Sequence, residues 1–407
     1  MGPMRWGLPI LAVALLLAVP RCSGRASEAG PGDGSEDAGQ GSSFADGGDA
    51  GVAALDGGGD GGPFVTAPHL PLPTLSFHNG TAFTHPQLVT VTWTGFAFET
   101  DARAFGDGVV SSQWLGAVGG EYGVTGATHL SKVALSPALP SMLTDAQLRA
   151  VLDARIADGT LPSPGSNPQL LLLVYIPSGV VVDASAITRS GSLCGAYYGY
   201  HFFSADGGTR YAYAVSGDCD GQISSITALA SHELIEAALD PFNDGYYLDP
   251  PIDDDWHFFR TAENADLCQA MPTVTEFGYT LERGWSNAAV SAGQAPCLPI
   301  PSAEVPYSDV SPPQRQILAV DAGTSVDVSL TGWAVASRVA WPVTVSDSPL
   351  ADFATNPQLS ASVMNNGTQA TLTLTVPVGT PPGKLGSAVV YSGSTNGRYW
   401  PVTIMSR

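Results

Sequence analysis

Positive charge is what this chain has least of. Lysine occurs only at Lys132 and Lys384, and 16 Lys+Arg stand against 37 Asp+Glu, a formal net charge of −21. A surface so poor in cations has little hold on a polyanion, which excludes nucleic-acid binding. Cysteine is scarce too, five in 407 residues. No two cysteines are spaced C-x-x-C, which speaks against a zinc–thiolate site. Long apolar runs are missing: LPILAVALLLAVP, 8–20, is too short to span a bilayer comfortably, and no later segment is apolar enough to cross one. Histidine does not recur after His257, so the C-terminal third has no imidazole for metal or acid–base chemistry.

The short apolar run follows a segment with a single Arg5 and precedes Gly24-Arg25-Ala26, small residues of the kind found at a cleavage site. Residues 1–26 therefore read as a secretory signal peptide, and a secreted or cell-surface location is expected. Cys22 offers a lipid anchor as the alternative, with Arg21 a poor fit to a lipobox. Cleavage leaves Cys194, Cys219, Cys268 and Cys297, an even set with three connectivities. Nearest-neighbour pairing, Cys194–Cys219 and Cys268–Cys297, is expected. Residues 27–66 form an acidic tether rich in Gly, Ser and Ala. Its acids are Glu28, Asp33, Glu36, Asp37, Asp46, Asp49, Asp56 and Asp60, with no Lys or Arg between 27 and 63.

The densest chemistry lies in SHELIEAALDP, 231–241. With the preceding ISSITALA it has helical spacing, and Asp240-Pro241 supplies the stop. His232 and Glu236, four residues apart, share one face of such a helix, about 40° apart. Ala228, Leu229, Ile235 and Leu239 flank that face, so an imidazole and a carboxylate are set toward the core. That is costly unless something satisfies both. A divalent cation would; a metal-free pair of His232 with Glu236 is the alternative. Zinc peptidases use H-E-x-x-H, with ligands at i and i+4 and the Glu between them as base. Here Glu233 takes the base position, and a carboxylate, Glu236, replaces the second His. Downstream, TAENADLC, 261–268, puts Glu263 and Asp266 at i and i+3. By analogy with zinc peptidases whose third ligand is a Glu on a later helix, Glu263 is the expected third ligand and Asp266 its neighbour orienting a ligating His, with the two exchangeable. Acids at a helix N-terminus are the alternative reading. His201, after Tyr197, Tyr198 and Tyr200, is a candidate transition-state stabiliser or fourth ligand, or a plain histidine at a strand end. His257 lies beside Asp253, Asp254 and Asp255, an acid run that would suit calcium or a solvated loop.

Around these motifs the chain reads as two folded parts. Residues 67–300 are mixed α/β. Strands are expected at 88–95, at the doubly buried run 169–177 and at 210–219. A helix is expected at 144–159, with Thr144 as N-cap, Gln147 closing a capping box and Gly159 as stop. A helix between two strands implies a crossover and a partly parallel sheet. Residues 301–314 are proline-rich and read as a linker. In 315–407, SVDVSLTGW, TVSDSP, QATLTLTVP and YWPVTI are short alternating strands. Hairpin signals stand at Asn366-Gly367 and Asn396-Gly397, as in an immunoglobulin-like sandwich.

SLCGAYYGYHFF, SHELIEAALDP, ENADLC and GWSNAAVSAGQAPCLP together resemble the EXORDIUM / phosphate-induced protein family. In that family a Cys-Gly-Tyr-His segment is followed by a His-Glu-Leu-x-Glu-Ala helix ending in Asp-Pro or Asn-Pro, then by Glu-Asn-Ala-Asp-Leu-Cys. Here the matching residues are Cys194-Gly195 with Tyr200-His201, then His232 to Pro241, then Glu263 to Cys268. Residues are inserted between Gly195 and Tyr200. The resemblance spans roughly 88–298 and leaves out the tether and the sandwich. It implies a secreted protein of the kind associated with plant cell walls and growth, and no particular reaction. Two functions are carried forward. One is an exported, monomeric zinc-dependent hydrolase, a metallopeptidase acting on a peptide or a cell-wall polymer. The other is a non-enzymatic wall- or surface-binding protein with a structural ion or a buried His/Glu network.

Overall fold

The computed structural model describes residues 64–187, 191–204, 208–300, 308–335, 339–348, 351–393 and 398–407. The segment expected to be a signal peptide, nearly all of the expected tether and the expected Asn396-Gly397 turn lie outside the described residues. The N-terminal part contains β1 (Ser76–Phe77), β2 (Gln87–Trp93), α1 (Glu99–Val109), α2 (Gln113–Gly119), β3 (Thr128–Leu135), β4 (Met142–Thr144), α3 (Asp145–Ala157), β5 (Leu170–Ile176), β6 (Val181–Asp183), β7 (Gly199–Ser204), β8 (Tyr211–Gly217) and α4 (Ile223–Leu239). Smaller elements follow: β9 (Tyr246–Tyr247), β10 (Val274–Glu276), β11 (Tyr279–Leu281), β12 (Gly284–Trp285), α5 (Asn287–Ser291) and β13 (Cys297–Leu298).

The main sheet has the order β3-β2-β5-β8-β7. Every neighbouring pair is parallel except β7–β8, so the sheet is mixed and its antiparallel member lies at one edge. The central strands are the continuous apolar runs. All seven residues of LLLLVYI in β5 and of YAYAVSG in β8 are buried, as helices on both faces require. The pleat sorts their side chains. Leu171, Leu173 and Tyr175 of β5 with Ala212 and Ala214 of β8 face one core, shared with α1, α2 and α4. Leu170, Leu172, Val174 and Ile176 with Tyr211, Tyr213 and Val215 face the other, with Leu148 and Leu152 of α3. α3 carries the expected capping box between Thr144 and Gln147, and Gly159 past its end has φ +80°.

Two disulfides, Cys194–Cys219 and Cys268–Cys297, follow the expected nearest-neighbour pairing. The first ties the segment before β7 to the segment after β8. The second ties the 261–268 segment to β13. No helix among the described residues is long and apolar enough to cross a membrane.

The C-terminal part contains β14 (Ser308–Ser311), β15 (Leu318–Val320), β16 (Ser325–Ala334), β17 (Trp341–Asp347), β18 (Gln358–Leu359), β19 (Val363–Met364), β20 (Gln369–Thr375), β21 (Leu385–Ser392) and β22 (Arg398–Ser406). They form a sandwich of two sheets, β14-β16-β20-β18 and β15-β22-β21-β17-β19. Alternation along β20 buries Ala370, Leu372 and Leu374, and Gly367 of the Asn366-Gly367 turn has φ +86°.

The junction differs from the sequence expectation in two ways. Residues 308–311, assigned above to the linker, are a strand paired with β16. The stretch is also not a boundary crossed by few contacts. Trp256 is fully buried, its ring 5.7 Å from Tyr399 and 5.8 Å from Trp400 of β22. The acid run beside it is part of the same joint. Asp253 O accepts from Ile317 N (2.7 Å), Asp254 pairs with Arg315 (2.8 Å), and Asp255 Oδ1 accepts from Thr403 N (3.0 Å). The carboxylates of Asp254 and Asp255 and the backbone carbonyl of Asp253 dock the sandwich, and neither candidate metal grouping among the described residues includes these residues.

Candidate metal centre

α4 runs beneath the sheet with thirteen buried residues, among them His232, Glu233 and Glu236. It stops at Leu239, where Asp240 N still donates to Glu236 O and Pro241 blocks continuation. The helix packs against β7, β8 and β11. Register decides which β7 side chain reaches it. His201 pairs with Ala214, which faces the α4 core, while Tyr200 pairs with Val215 on the opposite face. The pleat therefore aims His201 at the helix.

The 261–268 segment is not the return helix expected from the Glu263/Asp266 spacing. It forms turns and one short 3-10 stretch, Asp266–Cys268. Asp266 bonds backbone instead of lining a helix face: its Oδ2 accepts from Glu263 N (3.1 Å), a local bond that competes with helix. Glu236 Oε1 reaches across from α4 to accept from Ala265 N (3.1 Å) and Asp266 N (3.0 Å), which docks the turn onto the helix.

The side chains meet in two groupings that share Glu236. One is His232, Glu236 and Asp266; the other is His201, Glu236 and Glu263. In each, the ligand atoms lie within 4.8 Å of one another and all residues are buried. The expected trio of His232, Glu236 and Glu263 is not one of them: Asp266 joins His232 and Glu236, and Glu263 joins His201. His232 Nε2 lies 3.2 Å from Glu236 Oε2 and 3.6 Å from Asp266 Oδ1. Donors about 2.0–2.2 Å from one zinc in tetrahedral geometry stand roughly 3.3 Å apart, so these separations fit a shared ion. Asp266 Oδ1 is buried without a partner at hydrogen-bond distance, its ion-pair contact with His232 Nε2 being 3.6 Å long. The donor set, one imidazole and two carboxylates, suits zinc and other divalent metals that accept N and O ligands.

Burial drives the electrostatics. It works against a charge on His232, but Glu236, Glu282 and Asp266 outweigh it and hold the imidazole well above its usual range. The imidazolium proton between Glu236 and Asp266 thus supplies positive charge at the position a metal would fill. His201 is pulled down to about 4, chiefly by burial, and is neutral. Its Nε2 lies 2.7 Å from Glu263 Oε2. Glu263 is pushed well up by burial and by Glu236, Asp240 and Asp266. Burial also raises Asp240, to about 6, despite the N–H bonds it accepts. Glu233 lies well above the carboxylate range, by burial first, with His232 opposing and Glu236 and Asp266 adding to the rise. A Cβ at Gly199 would come 2.8 Å from Glu233 Oε1, so a glycine at that point of β7 gives the carboxyl its room.

Glu282, just after β11, has no motif to announce it. Its Oε2 lies 2.8 Å from His232 Nδ1, and its backbone N donates to Ser231 Oγ (2.9 Å), fixing it beside α4. A carboxylate on the outer nitrogen of a histidine turns the other nitrogen toward a metal. Asp240, read above only as a helix stop, also belongs to the cluster. It hydrogen-bonds Glu263, and its Oδ1 accepts from Asp244 N (2.6 Å) and Gly245 N (2.7 Å). His257 stands apart, its Nδ1 3.2 Å from Pro250 O.

No protein-family model matches this chain, and a search of curated proteins returns no significant match.

Proposed function

We propose that this chain is an exported metal-dependent hydrolase whose zinc is held by His232, Glu236 and Asp266, with Glu233 as general base. One observation carries the reading: three donor atoms converge from α4 and the 261–268 turn, one of them without a hydrogen bond, beside a carboxyl group on the same helix. Zinc bound there would polarise a carbonyl and lower the pKa of water. Glu282 holds the His232 ring, and Glu236 Oε1 holds the turn that presents Asp266. Burial favours the protonated form of Glu233; a cation bound beside it would favour the ionised form, which would take the proton that water gives up and pass it to the leaving group. Peptide bonds are the substrate class this helix pattern favours, with a cell-wall polymer as the second choice. The disulfides accord with an oxidising, extracellular setting. The C-terminal sandwich is proposed to be immunoglobulin-like and to serve binding or spacing. The EXORDIUM-like motifs support a secreted protein.

A second reading has its own support. His232, Glu233 and Glu236 are each only 3% exposed, and a closed, fully ligated ion would be structural. Glu233→Gln separates the two. The hydrolase reading expects unchanged zinc content and loss of cleavage of a fluorogenic peptide library by about 10²–10⁴-fold. A parent protein that cleaves no member of the library, yet melts at a lower temperature after chelation, would establish the structural ion instead.

A further inference from the structure

The sharing of Glu236 between two groupings has a consequence for stoichiometry. We infer that the site takes two divalent cations, the second held by His201, Glu236 and Glu263, with Glu236 bridging the pair. This rests on the reading of the cluster as a metal centre. Both sets of donor atoms fall within 4.8 Å and include the same carboxylate, so two ions would lie on either side of one Glu side chain, as in two-metal hydrolytic sites. The charge allows it. Six carboxyl groups, Glu233, Glu236, Asp240, Glu263, Asp266 and Glu282, surround two imidazoles, so the site holds acids enough to balance a second divalent ion once they release their protons.

One buried carboxylate oxygen of the paired site, Asp266 Oδ1, lacks a hydrogen-bond partner among the described residues. The hydrogen bond from His201 Nε2 to Glu263 Oε2, 2.7 Å, places one proton between two donors, where a cation would replace it. The topology supports the pairing as well. His201 comes from the sheet edge β7, Glu236 from α4 and Glu263 from the turn that Glu236 itself docks, so the second set is assembled by the same contacts as the first. One imidazole with two carboxylates on each ion suits zinc or manganese.

The test uses the full chain, stripped of metal and loaded with Mn²⁺. Metal analysis is expected to find two manganese per chain, and low-temperature electron paramagnetic resonance an exchange-coupled pair instead of the spectrum of isolated ions. Neither readout needs a variant. His201→Ala, folded by circular dichroism, is expected to bind one ion with an uncoupled spectrum, and Asp266→Asn likewise. One ion per chain in the parent, with an uncoupled spectrum that His201→Ala leaves unchanged, would overturn the second ion while leaving the first in place. No manganese or zinc bound at all would overturn both this inference and the metal centre beneath it.

Discussion

At the scale of single residues, the site was legible where its members share an element and hidden where they meet only in space. His232, Glu233 and Glu236 announce themselves because helical geometry alone puts an imidazole and carboxylates into an apolar helix. Glu282 does not, since its role comes from a strand that packs against α4 about fifty residues later in the chain. If Glu282 orients His232, then Glu282→Gln should weaken zinc binding by about 10–100-fold, read by competition with a chelator. An unchanged affinity would reduce Glu282 to a surface ion pair. The raised pKa of His232 has a direction that can be checked. In the metal-free chain Glu236, Glu282 and Asp266 favour the protonated ring, so metal binding competes with a proton there. Apparent zinc affinity should therefore rise with pH, by about tenfold per unit for one displaced proton, when titrated between pH 6 and 8. Gly199→Ala tests the room given to Glu233. The new methyl would meet Val215 O at 2.7 Å and Leu229 Cγ at 2.8 Å as well as Glu233 Oε1. A loss of about 1–3 kcal/mol in chemical denaturation is expected.

At the scale of elements, β5, β8, α3 and α4 could be read directly, because burial on both faces, a capping box and a proline stop are local signals. α1 could not. Gly106 and Gly108 read as helix breakers, yet they are packing devices: a Cβ at Gly106 would meet His129 and Thr90, and one at Gly108 would meet Phe277. The 261–268 segment misled in the opposite sense, since i,i+3 acids suit a helix face, whereas here Asp266 bonds backbone and Glu263 reaches His201. The acid run 253–255 reads in sequence as a solvated or calcium-binding loop and proves to be a docking element. Burial pushes Asp255 up to about 8, against the N–H bonds from Thr403 and Gln316. A carboxyl whose folded pKa exceeds the unfolded value favours folding below the unfolded pKa, and that contribution is lost as pH rises toward the folded one. Stability should accordingly decline between about pH 4 and 8 through this group. Asp255→Asn keeps an acceptor for Thr403 N and cannot ionise. Its melting temperature should exceed the parent's at pH 8, by the equivalent of a few kcal/mol at most, and the two should converge as pH falls.

At the scale of the whole molecule, proline content suggested two separable parts and the structure joins them. Removing residues after 300 would strip Tyr399 and Trp400 from the buried Trp256. The shortened chain should be insoluble or melt well below the full protein, because the exposed aromatic patch has lost its cover. The most direct test of the metal centre is the zinc content of the full chain beside that of Glu236→Gln. Glutamine can keep Oε1 as acceptor for Ala265 N and Asp266 N, so the turn stays docked, while an amide replaces the oxygen 3.2 Å from His232 Nε2. The account predicts stoichiometric zinc in the parent and its loss in a folded Glu236→Gln. Equal zinc in both, or a parent that binds none when zinc is supplied, would contradict it.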